Sequence, residues 1–332
     1  MRVSNSPNAC AFPVVAMVIK SKVSTLEKKV LLVDIGGTNI RTATAEIGSF
    51  ELHNAHKRNL DCLDSFDEII ENLLNEDMDI KHIVFSIAGP KLHQSISMTN
   101  RKFEIDESDM VNKFEIDSCH ILNDWESIGH GLSLFDRNEM IIINEGNSFN
   151  NTALVLGPGT GLGVAQVINN NIVLPTEIGN SLLSMPKLFK ELNLPNSEDF
   201  IVIEDLLSGG GLKKIHKCIS SDEQSPEEIV ASYAKNQFSQ KSVQFFLTSL
   251  SQILSELALV YMPGCGIYIA GGLMRSLHQF LDTDRFMKEF LVNRKSMHAN
   301  VLSQIPLAII NQEMTCLHGS LNFINKFSLN LK

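Results

Sequence analysis

The sequence contains no C-x-x-C pair and no Cys/His spacing of a zinc site, because its six cysteines (Cys10, Cys62, Cys119, Cys218, Cys265 and Cys316) stand singly along 332 residues. That spacing offers neither a structural zinc centre nor a compact disulfide framework, and the thiols read as reduced, in a cytoplasmic protein. No Gly-Lys pair occurs, which excludes a Walker-type phosphate loop. No basic cluster offsets a net charge of −10, from 28 Lys+Arg against 38 Asp+Glu, so nucleic acid is not an expected partner. The one segment resembling a targeting signal, Cys10 to Ile19, is broken by Pro13 and is shorter than the roughly 20 residues a membrane span needs. No membrane association is expected. Residues 1–29 read as a flexible N-terminal extension, with Met17 an alternative start and a secretory signal the competing reading.

What is present is a globular composition, 44% hydrophobic, 20% charged and 7% aromatic, which excludes disordered, coiled and collagenous chains. At about 150 residues per domain the length predicts two domains. Val30-Leu31-Leu32-Val33 is an apolar run of strand length ending at a Gly-Gly turn, and Ile40 to Ile47 alternates apolar and polar positions, so together they predict a hairpin. Glu51 to Asn59 predicts a third strand. Asp64 to Glu68 opens an amphipathic helix carrying Ile69, Ile70, Leu73 and Leu74 inward. Strands at His82 to Ile87 and Gln94 to Met98, a helix over Asp106 to Phe114, and a strand at His120-Ile121-Leu122 ending at Asn123-Asp124 make the first half mixed α/β.

The second half starts the same way, with a strand at Thr152 to Leu156, a turn at Gly157 to Gly161, a strand at Leu162 to Val167 and another from Asn171. Aligning Gly37-Thr38 with Gly159-Thr160 places Val33 over Val155 and Ala43 over Ala165, an offset of 122 residues. A long helix through Lys241 to Tyr261 keeps an apolar period near 3.6, Gly266 to Ala270 predicts a strand running into Gly271-Gly272, and a final helix follows Asn311. Two related α/β lobes imply a cleft between them. The expected division is a small lobe over 30–125, a large lobe over 126–313, and a C-terminal helix at about 314–330 packing back on the small lobe. The long apolar helix offers a surface for a homodimer.

Three glycine turns and four carboxylates carry candidate chemistry. In Asp34-Ile35-Gly36-Gly37-Thr38-Asn39 the glycines let backbone N–H groups approach an anion, while Thr38 and Asn39 add side-chain donors. Asp34, at the end of a buried strand, either caps an ordinary turn or contacts Mg²⁺ through water. Gly157-Pro158-Gly159-Thr160-Gly161-Leu162-Gly163 matches neither a dinucleotide nor a P-loop pattern; paired with the first turn it reads as phosphate contact from both lobes. Gly271-Gly272 gives a nucleotide close backbone access, or is a plain strand-to-helix turn. Asp124 is either the N-cap of a helix over Trp125 to Leu134 or a base for a hydroxyl attacking a γ-phosphate, with Asn123 fixing a sugar. Glu177 and Glu204, taken alone, are solvated carboxylates.

Taken in order, these segments resemble the bacterial-type glucokinase family, ATP:hexose 6-phosphotransferases with a two-lobed, actin-like (ribonuclease-H-like) ATPase fold. The resemblance rests on Asp34 to Asn39, Met98-Thr99-Asn100, Leu122-Asn123-Asp124-Trp125, Gly157 to Ala165, Leu174-Pro175-Thr176-Glu177, Leu206-Leu207-Ser208-Gly209 and Ile269-Ala270-Gly271-Gly272. It implies that Asn100, Asn123, Glu177, Asn180 and Glu204 bind glucose together with Asp124, the catalytic base. It also implies that Val33, Asp34, Ile35, Gly36, Gly37, Thr38 and Asn39, with Gly157, Gly159, Thr160, Gly161, Gly271 and Gly272, enclose ATP, with Mg²⁺ near Asp34. The related repressor/open-reading-frame/kinase group carries a cysteine-rich zinc motif that these isolated cysteines do not form. One departure is local. The family's sugar loop reads Glu-Gly-Gly-His, whereas this chain has Glu177-Ile178-Gly179-Asn180; the shorter amide keeps a donor and an acceptor but changes their reach. A kinase of another hexose, or a catalytically weak sugar sensor, is the alternative that departure leaves open.

Overall fold

The computed structural model describes residues 28–59, 66–97, 104–184, 189–190 and 197–330. The expected extension up to residue 27, the helix start at Asp64 and the Met98-Thr99-Asn100 segment lie outside the described residues. The chain divides into two compact units. Among the described residues one is Asp136–Asn311, and the other joins those from 28 to 135 to those from Gln312 onward.

In the unit holding the first half, β1 (Lys29–Ile35) and β2 (Asn39–Glu46) form an antiparallel hairpin and β3 (His53–Asn59) adds an outer strand. After α1 (Phe66–Glu76), β4 (Ile80–Ile87) pairs parallel with β1. A ribbon of β5 (Lys91–Leu92), β6 (Ser95–Ser97) and β7 (Glu104–Asp106) leads into α2 (Glu107–Phe114), which Asp106 caps. Then β8 (Ser118–Asn123) pairs parallel with β4 at the sheet edge, giving the order β3-β2-β1-β4-β8, and α3 (Asp124–Gly131) leaves its end.

Successive strand side chains point to opposite faces, so the continuous apolar run of β1 serves two layers. Leu31, Val33 and Ile35 pack with Ile70, Phe85 and Met110 on the face covered by α1 and α2, whereas Val30 and Leu32 pack with Leu317, Leu321 and Ile324 of the C-terminal helix, Thr315–Asn330. Burying an aliphatic side chain of this size contributes about 1.5–3 kcal/mol, enough for three anchors to hold that helix on the sheet. Gly319 lets it cross α3 closely, since a Cβ there would lie 1.7 Å from the Ser127 carbonyl oxygen. α3 packs with this helix, and the unit boundary therefore falls between Phe135 and Asp136 instead of the expected 125/126.

The other unit contains β9 (Met140–Asn144), β10 (Thr152–Pro158), β11 (Leu162–Ile168), β12 (Ile172–Thr176), α4 (Ile203–Leu206), α5 (Gly209–Ser220), α6 (Pro226–Ser232), α7 (Gln237–Tyr261), β13 (Gly266–Ile269), α8 (Gly272–Leu277), α9 (Thr283–Phe290), α10 (Ser296–Ser303) and β14 (Leu307–Ile310). Its sheet order is β12-β11-β10-β13-β14-β9. The first five strands repeat the other sheet: two antiparallel pairings and then two parallel ones. The repeat is not residue-for-residue. Leu32 faces Ala43, but Val155 rather than Leu154 faces Ala165, because three residues (159–161) separate the Pro158 and Leu162 pair where four (36–39) separate Ile35 and Ile40.

Among the described residues α7 is the one helix long and apolar enough to cross a membrane, and 78% of its most apolar window is buried within the protein. Phe246, Leu250, Ile253, Leu254 and Leu257 all lie in the unit's core. Most of its apolar stripe is thus used internally, while Phe238 and Val260 stay exposed.

Candidate active site

The hairpin tip of β1 and β2 is closed by Gly36 N–H donating to the Asn39 carbonyl at 2.9 Å. Gly36 to Asn39 are accessible there, with Thr38 the most open. Val33 and Ile35, expected beside the nucleotide, instead point into the core with no exposure, because their strand positions alternate inward.

Asp34 is only 3% exposed. It lies directly opposite Arg41 in the hairpin register, and Arg41 Nη1 donates to Asp34 Oδ2 at 2.7 Å; Ser86 Oγ stands 3.5 Å from Oδ1. Burial pushes the Asp34 carboxyl up, against the opposing pull of the Arg41 guanidinium. The described residues contain no cluster of three metal-ligating side chains. Asp34, the carboxylate expected to face Mg²⁺ through water, has its Oδ2 paired with Arg41.

Asn123 and Asp124 sit where β8 becomes α3. Asn123, not Asp124, is the N-cap: its Oδ1 accepts from Trp125 N at 2.9 Å and Glu126 N at 3.3 Å, while Glu126 Oε2 accepts from Asn123 N at 3.1 Å. This capping box leaves Asp124 as the first helical residue, with Oδ1 accepting from Trp125 N at 3.0 Å. The Cys316 thiol at the start of the C-terminal helix approaches the Asp124 carbonyl at 3.8 Å. Burial and then the Asp34 and Asp124 carboxylates push that thiol well up. Asp34, Asp124 and Cys316 therefore share one neighbourhood.

In the other unit the candidates gather around the tip of β10 and β11. Gly159 N donates to Gly161 O at 2.8 Å, and Gly209 N, at the start of α5, donates to Gly159 O at 2.8 Å. Glu204 of α4 accepts from Leu162 N through Oε2 at 3.2 Å. The turn carrying Glu177 and Asn180 is closed by Asn180 N donating to Glu177 O at 3.0 Å, and both side chains are exposed. A Cβ on Gly179 would lie 2.4 Å from Leu162 O, so only glycine lets this turn approach the strand. Gly271 follows β13 at the same tip, its Cβ direction 3.4 Å from Pro158 O. Asn100 lies outside the described residues.

Sequence reasoning missed the Asp34–Arg41 pair, the Glu126 half of the capping box and the Gly209–Gly159 bond. The first was readable from the hairpin register and the second from the Asn-x-x-Glu spacing; the third, between distant segments, left no local signal. A cavity of about 350 Å³ elsewhere, lined by Arg58, Ile69, Asn72, Leu73, Asn75 and Glu76, includes none of the candidates.

The glucokinase family profile matches residues 31–326. A glucokinase of Colwellia psychrerythraea is 28% identical over 324 residues, covering 89% of this chain and 96% of that protein. The crystal structure of a glucokinase from an Antarctic psychrotroph superposes with a TM-score of 0.76 at 23% identity, covering 90% of this chain and 99% of that one. A glucokinase of Balamuthia mandrillaris in complex with glucose gives 0.72 at 20% identity, covering 90% and 94%. These likenesses show that the chain shares the fold of these glucokinases. With two α/β units built on the same strand pattern and the family profile running through nearly all described residues, the chain belongs to the glucokinase family, the ATP-dependent sugar kinases.

Proposed function

We propose that the protein is a glucokinase, transferring the γ-phosphate of Mg-ATP to the 6-hydroxyl of glucose to give glucose 6-phosphate and ADP. The observation that carries this reading is the Asn123-Asp124 pair, a carboxylate on the first helical turn beside a fully braced asparagine. In the reaction Asp124 accepts the 6-hydroxyl proton while that oxygen forms its bond to the γ-phosphorus and the bond to the β-phosphate oxygen breaks. Asn123 gives one amide hydrogen to Gly89 O and directs the other to the sugar. Glu204 commits Oε2 to Leu162 N and keeps Oε1 for a sugar hydroxyl, alongside Glu177, Asn180 and Asn100.

Backbone amides of Gly37 to Asn39 and of Thr160 and Gly161, with the Thr38 and Thr160 hydroxyls, meet the phosphate oxygens, while the Gly36 and Gly159 amides close their own turns; Gly271-Gly272 admits the nucleoside. No covalent intermediate is needed, so positioning and fixed dipoles supply most of the rate. Glucose as the sugar is supported by the family and by a related fold holding glucose. Retention of Asp124 and both glycine turns disfavours a pure sensor, which has no use for a base. The cytoplasm, where ATP and reduced thiols coexist, is the proposed location.

The test is Asp124→Ala: kcat should fall about 100-fold or more with sugar binding largely kept. Near-normal turnover would remove Asp124 from the role of base.

A further inference from the structure

Among the described residues β8 is the edge strand of its sheet, paired with β4 on one side and with no strand on the other. Outward-facing backbone groups of an edge strand are left to water or to side chains. At the end of β8 they are met by three charged side chains from three separate elements. Ile121 N donates to Glu107 Oε1 of α2 at 2.8 Å, and Lys91 Nζ of β5 donates to Ile121 O while standing 3.7 Å from the same Glu107 oxygen. Two residues on, Asn123 N donates to Glu126 Oε2 at 3.1 Å. The Asn123 side chain is braced in turn by Trp125 N, Glu126 N and Gly89 O.

We propose that Lys91, Glu107 and Glu126 are positioning residues for phosphoryl transfer, standing in for the missing neighbour strand and fixing where the Asn123-Asp124 tip points. The proposal rests on Asp124 being the base. A helix cap alone does not require this arrangement. In α6 the equivalent pair, Ser225 and Glu228, caps from an exposed position, whereas Glu126 is partly buried and its carboxyl is pushed up by that burial. Desolvating a carboxylate is costly, and the return here is a strand end held at both Ile121 and Asn123. Lys91 and Glu107, with side chains 25% and 19% exposed, share the same partly buried setting.

The experiment measures kcat and sugar KM for Glu126→Ala, Glu126→Gln and Lys91→Met, well below each variant's unfolding midpoint. Displacing a reacting group by about 1 Å costs on the order of 100-fold. Glu126→Ala should therefore lower kcat by at least about tenfold with sugar KM changed much less. Glu126→Gln keeps an acceptor for Asn123 N–H and should recover most of the loss. Asp282→Ala, which removes the cap of α9, should lower stability and leave kcat unchanged. If Glu126→Ala does not fold, Lys91→Met carries the test through Ile121, with a several-fold fall in kcat expected. Wild-type kcat in folded Glu126→Ala and Lys91→Met would overturn the proposal, as would a Gln variant as impaired as the Ala one. Near-normal turnover of Asp124→Ala is a different result, overturning the base assignment whatever the Glu126 series shows.

Discussion

Arg41→Ala should leave a buried carboxylate without its counter-ion. The Asp34 side chain is 4% exposed and that of Arg41 29%, and Ser86 at 3.5 Å is a poor replacement partner. Breaking a buried pair by removing one member costs about 3–5 kcal/mol, and at about 2–4 °C per kcal/mol the unit's midpoint should drop by about 6 °C or more. The pH dependence identifies the cause. With the guanidinium gone, burial is opposed only by the weaker Cys316 and Ser86 hydrogen bonds, and the folded Asp34 carboxyl rises further. A group raised in the folded state favours folding below its unfolded pKa and loses that contribution as pH rises through the folded value. The deficit of the variant is thus greatest at neutral pH and shrinks as pH falls through the carboxylate range. Urea unfolding at both pH values, with amide exchange of β1 and β2 reporting this unit separately, measures it. Asp34→Asn in the Arg41→Ala background removes the stranded charge and should recover at least half of the loss. A deficit under about 0.5 kcal/mol, one independent of pH, or no recovery in the double variant would refute the reasoning.

Two further outcomes follow from individual side chains. His130 lies against Phe323 with ring centroids 5.2 Å apart, and burial pushes its imidazole from 6.5 down to about 4. The unfolded chain therefore binds the proton more readily, and stability is lost as pH falls from 6.5 toward 4, by roughly 3 kcal/mol for this group; His130→Gln should flatten that part of the stability–pH curve measured by urea unfolding. Asn180→His restores the family's usual side chain at an exposed turn, and should lower glucose KM several-fold with kcat little changed; an unchanged KM would remove Asn180 from the sugar contacts.

The elements legible in the sequence are those whose signal is local. The run Val30 to Val33 between a polar start and a glycine turn could be little but a buried strand, and Asp106 before an amphipathic stretch marks its helix start. Asn123 and Asp124 are equally good caps by type; the tie is broken by the strand persisting through Asn123, a consequence of its pairing with Ile87. The serines of the long helix α7 interrupt its apolar pattern without forming a solvent face. Ser242 and Ser249 are buried, each donating to a carbonyl one turn back, and Ser251 donates to Phe286 O. A hydroxyl with its bond made inside the protein leaves no trace in a hydropathy pattern. The 122-residue repeat was visible through its glycine turns, but the one-residue difference in turn length was not, since glycine alignment fixes the tips and not the pairing.

ADP release from Mg-ATP, measured with and without a panel of hexoses, tests the central claim most directly. The account predicts release that depends on sugar, with glucose the preferred acceptor and glucose 6-phosphate formed in equal amount. Release independent of sugar, or stabilisation by glucose with no release, would contradict it.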